Sequence, residues 1–145
     1  MVVAAGSFLL VRWLRAPTDE ERIERVIAEA ERGIETQDLA VVMKGFSSEY
    51  LDSDGNGYLQ LRALAHAYVT SSPPMTVHRR NTEIRVHNGE ATVDITGTVK
   101  QGRGTLALVE ALPGHGDLVR VVLQMRRERG DWKIVAFRFA DLKFN

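Results

Sequence analysis

Three polar side chains lie among apolar ones, at positions where they could line a ligand pocket: Tyr50, Tyr68 and Arg138. A tyrosine hydroxyl can hold an enolate oxygen, and a guanidinium can bind an anion. The structural alternative is a core tyrosine with a satisfied hydroxyl, and an arginine that extends to water. Both alternatives stay open, and these three residues are the predicted polar lining of any pocket.

Acid–base catalysis in such a pocket also needs a carboxylate near the tyrosine. Asp94 is the carboxylate well inside a predicted strand, but its neighbours Val93 and Ile95 are expected to take the core face. The four histidines show no i, i+4 pair of the kind that binds zinc on a helix, and no serine lies in a G-x-S-x-G motif. The sequence therefore predicts no catalytic residue.

The stretch DSDGNGYL, residues 52–59, resembles the start of a calcium-binding loop. Its acidic, asparagine and glycine residues fit the early positions of such a loop, but position 12, which needs a bidentate glutamate, is Ala63. Asp, Ser, Asn and Gly are also the residues that turns prefer. We expect a turn between two helices, with no metal and no other cofactor.

Composition limits the classes of function. The chain has 145 residues, which fits a single domain, and its formal charge is zero, so it offers no global electrostatic argument for nucleic-acid binding. It has no cysteine, which excludes thiol catalysis, zinc–thiolate sites and disulfides.

Residues 1–16 form an apolar N-terminal segment that contains the run VVAAGSFLLVRWL. This segment is shorter than the roughly 20 residues of a membrane-spanning helix. It could be the end of a membrane anchor, an interfacial helix, or a segment that packs on a protein surface. We favour the anchor, followed by one domain over residues 17–145.

The first half of the domain predicts three helices. Thr18 and Glu21 form a capping box, and an apolar stripe follows at helical spacing: Ile23, Val26, Ile27, Ala30 and Ile34. The other face, with Glu24, Arg25, Glu29, Glu31 and Arg32, is expected to be solvated. A second helix starts at Asp38, and a third carries Leu61, Leu64, Ala65 and Tyr68 before Pro73 and Pro74 end it.

The second half predicts antiparallel strands. Asn88-Gly89 and Arg129-Gly130-Asp131 indicate hairpin turns, and a further strand is expected over residues 106–112. Both faces of the last strand pair are rather apolar: Trp132, Ile134 and Ala136 are expected on one face and Val135, Phe137 and Phe139 on the other. We therefore expect a covered second face, either by a second copy in a homodimer or by the N-terminal segment. The fold class is α+β, with three N-terminal helices packed in a strongly bent antiparallel sheet.

Over Thr18 to Leu142 the chain resembles the nuclear transport factor 2-like superfamily. The resemblance rests on the ordered segments DEERIERVIAEAERGIETQDLAVVMKGF, SEYLD and GDWKIVAFRF. It looks closest to bacterial members with one membrane-spanning segment before the domain. The resemblance implies a cone-shaped pocket and a domain at the bacterial inner membrane that faces the periplasm; a cytoplasmic location is the alternative.

That superfamily includes ketosteroid isomerase, scytalone dehydratase and polyketide cyclases, besides many non-catalytic domains, so fold alone does not decide the function. The first hypothesis is a non-catalytic module that binds a small hydrophobic ligand or assembles with a partner protein. The second is an isomerase, dehydratase or cyclase acting on a hydrophobic small molecule. A carboxylate or histidine within reach of a ligand in the cavity would favour the second.

Overall fold

A computed structural model describes residues 15–101 and 118–142. Its three helices are α1 (Asp19–Thr36), α2 (Leu39–Lys44) and α3 (Tyr58–Ser71), and its four strands are β1 (Met75–His87), β2 (Glu90–Gln101), β3 (Leu118–Glu128) and β4 (Asp131–Phe139). The strands form one antiparallel sheet in the order β1-β2-β3-β4. The α+β prediction is confirmed. The strand predicted at 106–112 and nearly all of the segment 1–16 lie outside the described residues.

The predicted starts of α1 and α2 and the predicted hairpin turn at Asn88-Gly89 are confirmed by their contacts and backbone angles. The Thr18 hydroxyl accepts the Glu21 amide at 3.2 Å, and the Asp38 carboxylate accepts the Val41 amide at 3.2 Å. Asn88 and Gly89 both have positive φ, 48° and 75°, as a two-residue hairpin turn requires. One detail of α3 was wrong: Leu64 is 47% exposed and does not join the core.

The core lies between the helices and one face of the sheet. Its members come from every described element except β1: Ile23, Ile27, Val42, Met43, Tyr50, Leu61, Ala91, Val93, Leu123, Met125, Trp132 and Ile134. Ile84 and Val86 of β1 pack against it. This face of the sheet is called the inner face below.

A bulge in β4 corrects the predicted assignment of its faces. Met125 pairs with Ile134, whereas the preceding Gln124 pairs with Ala136, so Val135 is an extra residue. The bulge shifts the alternation by one, and Phe137 and Phe139 therefore share the inner face with Ile134. The outer face keeps Ala136 and Arg138 from this part of β4, so it is less apolar than the sequence pattern predicts.

A second bulge, in β1, has the same effect. Arg79 pairs with Gly97 and Asn81 with Thr96, which leaves Arg80 unpaired. The inner face therefore carries odd-numbered residues before the bulge, such as Val77, and even-numbered residues after it, such as Ile84. The bulge thereby turns Arg79 toward the helices.

Within the described residues no helix is long and apolar enough to cross a membrane.

Candidate ligand pocket

A cavity of about 260 Å³ lies between α1 and the inner face of the sheet. Its surface is almost entirely apolar. The lining comprises Ile27, Ala30, Glu31, Ile34, Phe46, Met75, Val77, Arg79, Ile95, Gly97, Val99, Val119, Val121, Leu123, Ile134, Phe137 and Phe139. Small ligands bind in concave, mostly apolar sites of this kind, so the cavity is the candidate functional site.

One wall of the cavity is aromatic. Phe46 and Phe137 have their ring centroids 6.2 Å apart, and Phe137 contacts Phe139 edge to face at 6.0 Å. The β4 bulge brings Phe137 and Phe139 to this wall. Phe46 is held against β4 because the Gly45 carbonyl and the Ser47 amide bond to the backbone of Ile134 at 2.8 and 2.9 Å.

Two charged residues, Glu31 and Arg79, are among the described lining residues. The Arg79 Nε atom lies 2.5 Å from Glu31 Oε1, and Arg79 NH1 donates to Glu24 Oε2 at 2.7 Å. The side chains of Glu31 and Arg79 are 20% and 22% exposed. The sequence-based assignment of Glu31 to a solvated face was therefore wrong.

The electrostatics around Glu31 are unfavourable for its charge. Its Oε1 atom is buried and lies in a close ion pair with the Arg79 guanidinium. Burial raises the pKa of Glu31; Arg79 opposes this shift, and Glu24 and Glu35 add to it. A half-buried carboxylate with a raised pKa can exchange protons with a ligand.

The position of Arg79 depends on Gly97. A Cβ atom at Gly97 would lie 2.5 Å from the His78 carbonyl oxygen and 3.1 Å from the Cα of Arg79. Only glycine allows β2 to approach the bulged part of β1 this closely. The bulge and the glycine together place the arginine at the cavity.

Sequence patterns could have indicated both residues. Glu31 is four residues after Ile27 and three before Ile34, so it lies within the apolar stripe of α1. In β1 the apolar residues change from odd to even positions between Val77 and Ile84, which requires one extra residue between them. Neither pattern indicates by itself that the two elements meet at a cavity.

Tyr68 lies outside the described lining of this cavity. Its hydroxyl donates to the Ile34 carbonyl at 2.6 Å and accepts the Met75 amide at 2.9 Å. Burial raises the pKa of Tyr68. These contacts join α3 to the end of α1 and the start of β1, and a contact of Tyr68 with a ligand remains a prediction.

Tyr50 lies behind the aromatic wall. Its ring packs 5.9 Å from both Phe46 and Phe137, and its hydroxyl donates to Asp52 Oδ2 at 3.3 Å. The residue is 3% exposed, and burial raises its pKa to about 12. The structure thus brings Tyr50 near the cavity without making it part of the described lining, and its ligand-binding role remains a prediction.

Arg138 lies apart from the two tyrosines. It pairs with Val122 on the outer face and is exposed. The same face carries Asp94, as expected from its flanking residues, and Arg120 binds both of its carboxylate oxygens at 3.0 and 2.6 Å. This pairing holds the pKa of Asp94 below its usual value. The role of Arg138 in ligand binding remains a prediction.

In the stretch from Asp52 to Leu59, residues 52–57 form the turn that leads into α3, and Tyr58 and Leu59 are the first residues of the helix. Asp52 Oδ1 accepts the amides of Asp54 at 3.0 Å and Asn56 at 2.9 Å, so this carboxylate is used within the loop itself. Over residues 15–101 and 118–142, no group of three or more His, Cys, Asp or Glu side chains is arranged to hold a metal ion.

No family model matches the sequence, and no curated protein matches it. Solved structures do match the arrangement of helices and strands. A nuclear transport factor 2-like protein from Cytophaga hutchinsonii has a TM-score of 0.67 at 14% identity, over 87% of this chain and 100% of that one. The chain has the nuclear transport factor 2-like fold.

Two further structures extend the comparison. A candidate dehydratase of the nuclear transport factor 2-like family from Streptomyces avermitilis has a TM-score of 0.69 at 13% identity, over 86% of this chain and 96% of that one. Bd1075 from Bdellovibrio bacteriovorus has a TM-score of 0.67 at 13% identity; the match covers 83% of this chain and 40% of the longer protein. Identities this low establish the fold alone.

Proposed function

We propose that this domain is a non-catalytic module that binds a small, hydrophobic ligand in the cavity between α1 and the sheet. The observation that carries the proposal is the nearly continuous apolar surface of a cavity of about 260 Å³. Transfer of an apolar molecule from water into such a cavity is favourable by about 25 cal/mol for each Å² of apolar surface buried.

Titration with phenylbutanol, a neutral apolar probe, tests this proposal. In methyl-labelled protein, the NMR signals of cavity residues such as Val99 and Val121 should shift, whereas Val122 on the outer face should not. Val99→Phe, which fills the cavity, should abolish binding, and Thr98→Phe, one residue away on the outer face, should retain it. Equal binding by the two variants would exclude the cavity as the site.

An enzyme of the isomerase, dehydratase or cyclase kind is the second candidate. The carboxyl group of Glu31 favours this candidate, because it lies in the cavity wall and burial raises its pKa. The neighbour from Streptomyces avermitilis is named as a candidate dehydratase, which supports this class without extending to this chain. A test is the exchange of α-protons for deuterium in an apolar ketone in D₂O. Catalysed exchange that Glu31→Gln reduces by about 10²-fold or more would favour the enzyme.

We also propose that the outer face of the sheet forms a homodimer interface. The proposal comes from the sequence pattern of β3 and β4, and the apolar residues that this face keeps after the β4 bulge include Leu118, Val122 and Ala136. Ala136→Glu should therefore shift a dimer to monomer in analytical ultracentrifugation. Arg62→Glu, on the exposed side of α3, should not.

Attachment to a bacterial inner membrane through residues 1–16, with the domain in the periplasm, is a proposal that rests on the sequence alone. Cell fractionation of the full chain with a reporter fused at its C-terminus would test it. A reporter active only in the cytoplasm would support the alternative location, and recovery of the chain in the soluble fraction would contradict the anchor.

A further inference from the structure

Among the described residues, the cavity presents almost no polar surface to a ligand. Its two charged lining residues are engaged elsewhere: Arg79 Nε lies 2.5 Å from Glu31 Oε1, and Arg79 NH1 donates to Glu24 at 2.7 Å and to Thr82 at 3.3 Å. The surface of the cavity is almost entirely apolar although both residues line it, so they contribute carbon atoms to the wall.

This wall restricts the chemistry of the part of a ligand that it encloses. A hydroxyl or carbonyl group placed inside the cavity would lose its hydrogen bonds to water and gain none, which weakens binding by about tenfold or more. The enclosed part is therefore a hydrocarbon. This condition is stricter than hydrophobicity in general, because it applies to every polar atom of the enclosed part.

The size and shape of the cavity restrict the ligand further. An apolar cavity of about 150 Å³ holds one benzene molecule, so a cavity of about 260 Å³ corresponds to about ten carbon atoms. The lining follows β3 from Val119 to Leu123 and β2 from Ile95 to Val99, so it extends for about 13 Å along the strands. A space of this volume and length is narrow, and an extended chain fits it better than a compact ring system.

The two ends of the cavity differ in exposure. Ile27, Leu123 and Ile134 at one end are 3%, 8% and 2% exposed, whereas Met75 and Val99 at the other end are partly exposed. The first end is therefore closed, and a polar group at the end of a ligand can reach water near Met75.

We propose that the ligand is a single-chain amphiphile, an unbranched hydrocarbon chain of about ten carbon atoms with one polar group at its end. The inference rests on the proposed ligand-binding function. The chain lies along the strands with its methyl end near Leu123, and the polar group stays in water near Met75. Each methylene group that enters the cavity strengthens binding about fourfold.

A series of primary alcohols tests the length of the chain: 1-hexanol, 1-octanol, 1-decanol and 1-dodecanol. In calorimetric titration the affinity should rise about fourfold for each added carbon up to about ten carbons and then stop rising, because further carbons remain in water. In Leu123→Ala, which extends the closed end, 1-dodecanol should bind more tightly than 1-decanol. Val122→Ala on the outer face is the matched control and should keep the limit of the wild type.

Two isomers test the absence of polar partners. The diols 1,2-decanediol and 1,5-decanediol contain the same atoms, but the first keeps both hydroxyl groups at the open end and the second places one among apolar side chains. The 1,2 isomer should bind about tenfold or more tightly than the 1,5 isomer.

The outcomes separate the two proposals. If the diols bind equally, if the affinity shows no limit with chain length, or if phenylbutanol binds more tightly than 1-decanol, the chain proposal is wrong and the ligand-binding function stands. If neither the alcohols nor phenylbutanol bind, both are overturned.

Discussion

The hydroxyl oxygen of Tyr68 lies 2.6 Å from the carbonyl oxygen of Ile34, and this contact joins α3 to the end of α1. The same hydroxyl accepts the Met75 amide. Tyr68→Phe leaves both backbone groups without this partner, so the free energy of unfolding should fall by about 1–3 kcal/mol in urea denaturation. Tyr58→Phe, in the same helix, should cost clearly less; an equal loss would mean that the hydroxyl of Tyr68 stabilises nothing.

The close approach of Gly97 to β1 makes this position intolerant of any side chain. A Cβ atom would lie 2.5 Å from the His78 carbonyl oxygen, which is backbone and cannot move aside cheaply. Gly97→Ala should therefore lower the free energy of unfolding by about 1–3 kcal/mol. Thr98→Ala is the control on the other face of the strand. A neutral effect of Gly97→Ala would show that the strands can separate at the bulge.

Glu31 should make stability depend on pH in the sense opposite to most carboxylates. Burial raises its pKa, so the folded chain holds this proton more tightly than the unfolded chain does. Its contribution to stability is greatest below the unfolded pKa and declines as pH rises through the folded pKa. Glu31→Gln should therefore gain stability relative to the wild type as pH rises across this interval. Chemical denaturation at several pH values would measure the trend, and Glu29→Gln should lack it.

Asp94 should make the stability depend on pH in the sense that is usual for a carboxylate. The hydrogen bonds from Arg120 lower its pKa, so its contribution is present above the unfolded pKa and is lost as pH falls through the folded pKa. Asp94→Asn should be less stable than the wild type at neutral pH, and this difference should disappear in acid. Asp131→Asn, at the exposed first residue of β4, is the comparison, and denaturation of each variant at several pH values measures the difference. A difference that persists in acid would mean that the effect is not the charge.

Calcium should leave the melting temperature unchanged. Asp52 Oδ1 already accepts the amides of Asp54 and Asn56, and Ala63 stands where a calcium loop needs a bidentate glutamate. A ligand that binds only the folded state raises the melting temperature, and the increase grows with the logarithm of the ligand concentration above its Kd. An increase of several degrees with calcium but not with magnesium would contradict the assignment of this stretch as a turn.

The sequence by itself determined the local elements. Thr18, Asp38, Asn88 and Gly89 act through contacts with near neighbours in the chain, so their caps and turns can be predicted without knowledge of the fold. The apolar stripe of α1 and the alternation in β2 have the same local origin, which is why the α+β class and the outward position of Asp94 were predicted correctly.

Only the tertiary structure decided which residues form the cavity. Bulges at Arg80 and Val135 move Arg79, Phe137 and Phe139 to the inner face, and a bulge depends on how two strands align, which is a property of the pair. Glu31 becomes a cavity residue because β1 crosses the side of α1 that carries it. The predicted pocket residues lie outside the described lining: the hydroxyl of Tyr50 binds Asp52, and that of Tyr68 binds the backbone of Ile34 and Met75. Periodicity describes one element at a time, whereas a site is formed where several elements meet.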